Sequence, residues 1–359
     1  MDKVAIIGGG FSAFIAQLLL GDRAFTQIIS PSNIDLVLGK ASTLPIHRRG
    51  SLEINKPLGS NAYSFGSLQV QLSTAKLHDR LIHGGNSKIW GGFFDSKHVS
   101  SSLLKTLGAA GIHLETLSFS RTGSISNHRS IGQLQNSQGE IIDASKLLDS
   151  QILNEYVTTL KLLEGDGIQI KSISPGFELN AHKVVLAIGP VQLIDILYRS
   201  GYIHNGDQID LAEYEHKLSL VWKTEPYEFE TPDTIIRYKI SRAIAHSLGI
   251  QKNICPLEPP KKLIQPYIDQ YFGPHENILK LIIEDRKLLE IPNLSKNPCS
   301  FGGSIHYCNM HINGQSINDF LLNISGNLTG IGMAFVKQLV PGPISNDILM
   351  DAAYKLSTK

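Results

Sequence analysis

The run KVAIIGGGFSAFIAQLL, Lys3 to Leu19, constrains this chain more than any other stretch. Lys3 to Ile7 reads as a short buried strand. Three glycines then force a tight turn, and a helix starts at about Phe11. The spacing Gly8-x-Gly10-x-x-Ala13 is the dinucleotide fingerprint with alanine in the third place. Gly8 makes the turn, Gly10 lets a pyrophosphate approach the backbone, and small Ala13 lets helix pack on strand. The phosphates would lie on the first-turn N–H groups of Phe11, Ser12 and Ala13, where the helix dipole favours an anion. An acidic residue for the ribose is expected about twenty positions on. The second strand, Thr26 to Ile29, ends instead at Ser30, and Asp35 lies too far along. A serine makes a weaker, uncharged contact and tolerates a 2′-phosphate, so both FAD and NADP stay open.

Composition excludes several classes. The chain has 359 residues, 42% apolar and 18% charged, with a formal net charge of +1. That is ordinary for a globular protein and gives no bulk attraction to nucleic acid or an anionic membrane. Three cysteines without a CxxC point away from a disulfide framework and a structural metal site, and a reducing cytoplasm is expected. Val4 to Leu20 is almost wholly apolar, but Asp2 spoils a basic leader and Gly8-Gly9-Gly10 breaks the apolar helix a signal peptide needs.

A second strand–turn–helix unit lies at His182 to Gly201. Lys183 to Ala187 reads as a buried strand closed by Gly189, followed by a helix carrying Leu193, Ile196 and Leu197. Just before it, from about 155 to 182, short alternating runs are separated by Gly165-Asp166-Gly167 and Pro175-Gly176. The chain therefore leaves the nucleotide domain, makes a β-meander and returns with a new strand. A plain NADP dehydrogenase has no reason to do this.

The segment VVLAIGPVQLIDILYRSG resembles the corresponding segment of the glucose–methanol–choline oxidoreductases. Matching stretches cover residues 4 to 20, about 45 to 95, 150 to 201 and 300 to 340. The resemblance implies FAD and an α/β, Rossmann-like fold of the two-dinucleotide-binding-domain type, with a smaller α+β substrate domain. It divides the chain into an FAD-binding part at 1–204, a substrate part at 205–300, and a return to the FAD part at 301–359. It places Val157 at the adenine and Gly189 beside the cofactor. It lays the loop GGNSKIWGG along the flavin, with Gly84, Gly85, Asn86 and Ser87 near the ring or phosphates. Trp90 either covers the ring or fills the core. HRRGSLEI resembles the ribose and phosphate arm, where Arg48 and Arg49 either meet phosphate or stay solvated.

The family keeps its acid/base pair near the C-terminus. His306 fits the first position, with His311 as the alternative. SGNLTGIGMAFVKQ, read with one residue deleted, puts Asn327 in the second, where the resemblance also implies that it touches the cofactor. On this reading Phe320 to Ile324 is a strand and a helix begins near Gly330, aimed at the flavin. In the substrate region, His216 to Lys223 and Thr234 to Ile240 read as strands, and ISRAIAHSLGI and LIQPYIDQYFG as helices. The expected activity is hydride transfer from a CH–OH or CH–NH group of a small molecule to FAD, as in a tailoring step of biosynthesis. Desaturation and a non-catalytic FAD-binding scaffold are the alternatives.

Overall fold

The computed structural model describes residues 2–21, 24–31, 34–39, 62–65, 68–71, 76–81, 85, 93–95, 99–116, 131–140, 142–148, 152–223, 235–239, 265–291, 304–337 and 344–357. A five-stranded parallel sheet organises the first domain. Its spatial order is Ile152–Leu153, Phe25–Ile29, Lys3–Ile7, Lys183–Leu186 and Leu328–Gly330. Side chains alternate across a strand, so each strand feeds two cores. Ala5, Ile7, Ile29, Val184 and Leu186 face the antiparallel meander Val157–Leu162, Ile168–Ser172, Glu178–Ala181 and the helix Pro190–Arg199. Val4, Ile6, Ile28 and Val185 face the helix Phe11–Leu20 and the last helix, Ile344–Ser357. With both faces covered, the strands read as near-continuous apolar runs. Each fully buried Ile or Leu contributes about 1.5–3 kcal/mol.

A larger, mostly antiparallel sheet forms the second domain. Its order is Gln315–Ser316, Ser304–Ile312, Gln208–Lys223, Gln265–Glu284, Lys287–Glu290, Leu68–Gln71 and Ala62–Phe65, with Ile235–Lys239 also pairing on Gln265–Glu284. Two smaller sheets pair Ile34–Gly39 with Lys76–Leu81, and Ile131–Asn136 with Phe93–Asp95 and Ile112–Thr116. No helix among the described residues is long and apolar enough to cross a membrane.

The first strand, the first helix, the meander and the returning strand lie where the sequence puts them. Three expectations need correction. LIQPYIDQYFG belongs, from Gln265 on, to the strand Gln265–Glu284. Its apolar spacing suits a helix, but pairing along Gln208–Lys223 overrides it, and Pro274 sits where the register slips between Ala212 and Tyr214. Phe320–Ile324 is the end of a helix, Ile317–Ile324, started by Ser316, whose Oγ accepts from the Asp319 amide at 3.3 Å. No long helix begins at Gly330: a 3-10 turn, Met333–Phe335, follows, and the last helix starts at Ile344. Ser304–Ile312 is part of the large sheet, and Leu328–Gly330 pairs in the parallel one. ISRAIAHSLGI lies outside the described residues.

Candidate functional site at the C-terminal edge of the parallel sheet

Four turns leave the parallel sheet at one level. Beyond each strand end the ladder continues by a single bond: Ser30 N to Leu153 O, 2.9 Å; Gly8 N to Ile29 O, 2.8 Å; Ala187 N to Ile7 O, 2.8 Å; Ile331 N to Leu186 O, 2.9 Å. This row fixes the crevice outside the carboxyl ends of the strands, where α/β sheets bind ligands.

At its centre Gly8 has φ +125°, which L side chains rarely adopt, and a Cβ there would overlap the Ala187 carbonyl oxygen. The fingerprint turn and the turn after the returning strand are thus pressed backbone to backbone. Gly10 is the N-cap of the first helix. It makes no side-chain cap bond, and the first turn holds no acidic residue. The first-turn N–H groups of Phe11, Ser12 and Ala13 lie at an end carrying positive dipole, with no carboxylate in the helix's own first turn. Gly189 likewise opens the helix Pro190–Arg199 without a side-chain cap, with Pro190 at its first position.

The third wall was not legible in the sequence. Gly332, φ +123°, lies against the first helix so closely that a Cβ would stand 2.9 Å from Ser12 Oγ. Gly330 leaves space for the Phe335 ring. Lys355, on the last helix, pins this loop by donating to Gly330 O at 2.9 Å and Phe335 O at 3.1 Å, and pairs with Asp351 at 2.6 Å. Burial pushes the Lys355 ammonium below its usual pKa and the Asp351 carboxyl above its own. Asn318 Nδ2 adds a bond to Phe335 O at 2.8 Å. The signal that would have found the loop is Gly330-x-Gly332 directly after a strand, a pattern the match to a catalytic asparagine obscured.

Ser30, just past the end of the second strand, is buried, and its Oγ donates to Pro31 O at 3.4 Å. Val157 is fully buried and opens the meander, next to a register irregularity. Gly85 is buried with φ +50°. Arg48, Arg49, Gly84, Asn86, Ser87 and Trp90 lie outside the described residues.

Asn327 is not brought to this edge. Its carbonyl accepts from Val184 N at 2.9 Å and its Nδ2 donates to Asp166 O at 2.9 Å, at the start of the strands beside the meander. Four residue steps separate it from Ile331, about 13 Å along an extended chain. Its contacts are those of a turn-fixing residue. His306 sits opposite Tyr214 in the strand Ser304–Ile312; its side chain is outside the described part. His311, five residues on, is half-buried, with Nδ1 3.1 Å from Asn309 O. A carbonyl can only accept, so Nδ1 carries the proton and Nε2 is the basic nitrogen. Between them Cys308 is wholly buried, and burial, then the charge of Asp347, pushes its thiol well above the usual pKa. It is no nucleophile.

No family model matches the chain, and no curated protein does. Among solved structures it is similar to pyridoxine 4-oxidase from Mesorbium loti, with a TM-score of 0.54 at 12% identity over 100% of this chain and 99% of that one. At this identity the likeness is one of fold. Looser likenesses are to the tetracycline destructase Tet(51), TM-score 0.37 at 9% identity over 98% of this chain and 79% of that one, and to AlpK, TM-score 0.38 at 9% identity over 99% and 61%. The chain has an α/β, Rossmann-like fold built on a parallel sheet.

Proposed function

We propose that this chain is an FAD-dependent oxidoreductase of glucose–methanol–choline type, acting on a CH–OH or CH–NH group of a small molecule. The observation that carries the reading is the crevice itself: a glycine fingerprint turn packed on the turn of a strand that returns after a meander. The full-length likeness to the fold of an oxidase supports it. FAD fits these residues: an uncapped, acid-free helix end for the pyrophosphate, a glycine at the point of approach, and a buried serine at the ribose position.

Bound there, FAD would supply a hydride acceptor. The chain supplies the rest. The first-turn amides hold the phosphates. The Gly330–Phe335 loop, fixed by Lys355, walls the site beside Ser12. A histidine of the strand Ser304–Ile312 takes the proton of the substrate hydroxyl or amine. His306 is the first candidate and His311, through Nε2, the second; Asn327 has no part in it.

The test is a titration of the purified protein with FAD, followed by anaerobic addition of small alcohols and amines, pyridoxine first. One FAD per chain, bleached by at least one of these, supports the reading. Uptake of NADPH in place of FAD overturns it. FAD uptake with no bleaching by any alcohol or amine favours the desaturation or scaffold alternative.

A further inference from the structure

Asp351 and Lys355 stand four residues apart on the last helix, Ile344–Ser357, a spacing that on most helices gives a solvated surface pair. Here the pair is inside. The Asp351 side chain is 9% exposed and that of Lys355 10%, and they meet at 2.6 Å. Burying two charges costs free energy that their attraction rarely returns in full, and apolar side chains of the same volume often serve a core as well. As a pair, these two residues add little to the fold. What they provide is geometry.

An ammonium has three protons, and all three of Lys355 are placed. One goes to Asp351 Oδ2, one to Gly330 O at 2.9 Å and one to Phe335 O at 3.1 Å. A single nitrogen thus holds both ends of the Gly330–Phe335 loop, and it lies 5.9 Å from the centre of the Phe335 ring. Phe335 O accepts a second bond, from Asn318 Nδ2 at 2.8 Å. Within the loop, Phe335 N donates to Gly332 O at 2.9 Å, and Ile331 N ties the chain to Leu186 O at 2.9 Å. The Phe335 ring fills the space a Cβ on Gly330 would need. A loop tied at so many points has one place to be. That place sets Gly332 against Ser12, where a Cβ would stand 2.9 Å from Oγ, in the first turn of the first helix.

We propose that Lys355 is a positioning residue of the dinucleotide site: its ammonium clamps both ends of the Gly330–Phe335 loop and so holds Gly332 at the turn that takes the pyrophosphate. The inference rests on the FAD reading above. The test compares the wild-type protein with Lys355→Met, which removes the charge, and with the double variant Lys355→Met/Asp351→Leu, which removes both charges. Urea midpoints of the apoproteins and calorimetric binding of ADP and FAD are measured for each. The expected result separates the two quantities. The double variant regains part of the midpoint that Lys355→Met loses, yet both variants bind ADP and FAD about tenfold more weakly than wild type, because the loop is no longer pre-organised. A lysine that only supports the fold gives an affinity that recovers with the midpoint, or one that never changes, and either result overturns this inference alone. Amide exchange of the wild-type protein gives a reading that needs no variant. Saturating ADP should slow exchange across residues 330 to 336, and unchanged exchange there with ADP bound also overturns the inference. Wild-type protein that binds neither ADP nor FAD overturns it together with the FAD reading.

Discussion

Gly8 and Gly10 stand two residues apart and should fail in different ways when given a methyl group. At Gly8, φ is +125°, a conformation that costs an alanine about 1–3 kcal/mol. The new Cβ would also overlap the Ala187 carbonyl oxygen and lie 2.7 Å from its carbon. Relief requires moving strand backbone tied by the 2.8 Å Ala187–Ile7 bond, adding overpacking strain of about 1–3 kcal/mol and about 1 kcal/mol of weakened hydrogen bonding. Gly8→Ala should therefore lose about 3–7 kcal/mol, a large part of the stability of an ordinary domain. Gly10 has φ −94° and ψ −167°, open to any residue. Gly10→Ala should fold within about 1 kcal/mol of wild type, since glycine and alanine differ modestly at an N-cap. Its methyl group, however, stands where the pyrophosphate approaches, and FAD affinity should fall about 100-fold, near 2.7 kcal/mol. Urea unfolding of the apoproteins and FAD titration read the two effects separately. A Gly8→Ala protein as stable as wild type, or a Gly10→Ala protein with wild-type affinity, would refute the reasoning.

Lys355→Met should cost about 3–5 kcal/mol by stranding Asp351 and the Gly330 carbonyl, and adding Asp351→Leu should recover part of it, both read by urea midpoints. Tyr156→Phe removes a buried bond to the Asp195 carboxylate and should cost about 1.5–3 kcal/mol in the same assay. Asn327→Ala should lose about 1 kcal/mol of stability and leave the rate of flavin reduction unchanged, because its side chain serves Asp166. His306→Ala should slow reduction by about 10²- to 10⁴-fold with FAD still bound; if His311→Ala is the slow variant, the base is His311.

What the sequence made legible was local. Lys3–Ile7, the glycine turn and the helix from Phe11 follow from a buried run broken by Gly8–Gly10, and Lys183–Leu186 with its helix follows from the same grammar. The large sheet was harder. Gln265–Glu284 carries apolar residues at spacings that suit either period, and only its distant partner Gln208–Lys223 decides between them. In the last third, a match that required a deletion set the register and hid two local signals. These are the Ser316-x-x-Asp319 helix start and the glycine pair Gly330 and Gly332 at the end of the strand Leu328–Gly330. Lys355 could not be found from sequence, because a lone lysine on an amphipathic helix reads as solvated. Its burial is a property of the packed layers.

The central claim is that the crevice at the ends of Lys3–Ile7 and Lys183–Leu186 holds FAD. Equilibrium dialysis of the apoprotein against FAD, with ADP, FMN and NADPH as competitors, tests it most directly. The account predicts one FAD per chain, competition by ADP and little by NADPH, and a flavin spectrum shifted from that of free FAD. Saturable NADPH binding with no uptake of FAD would contradict it.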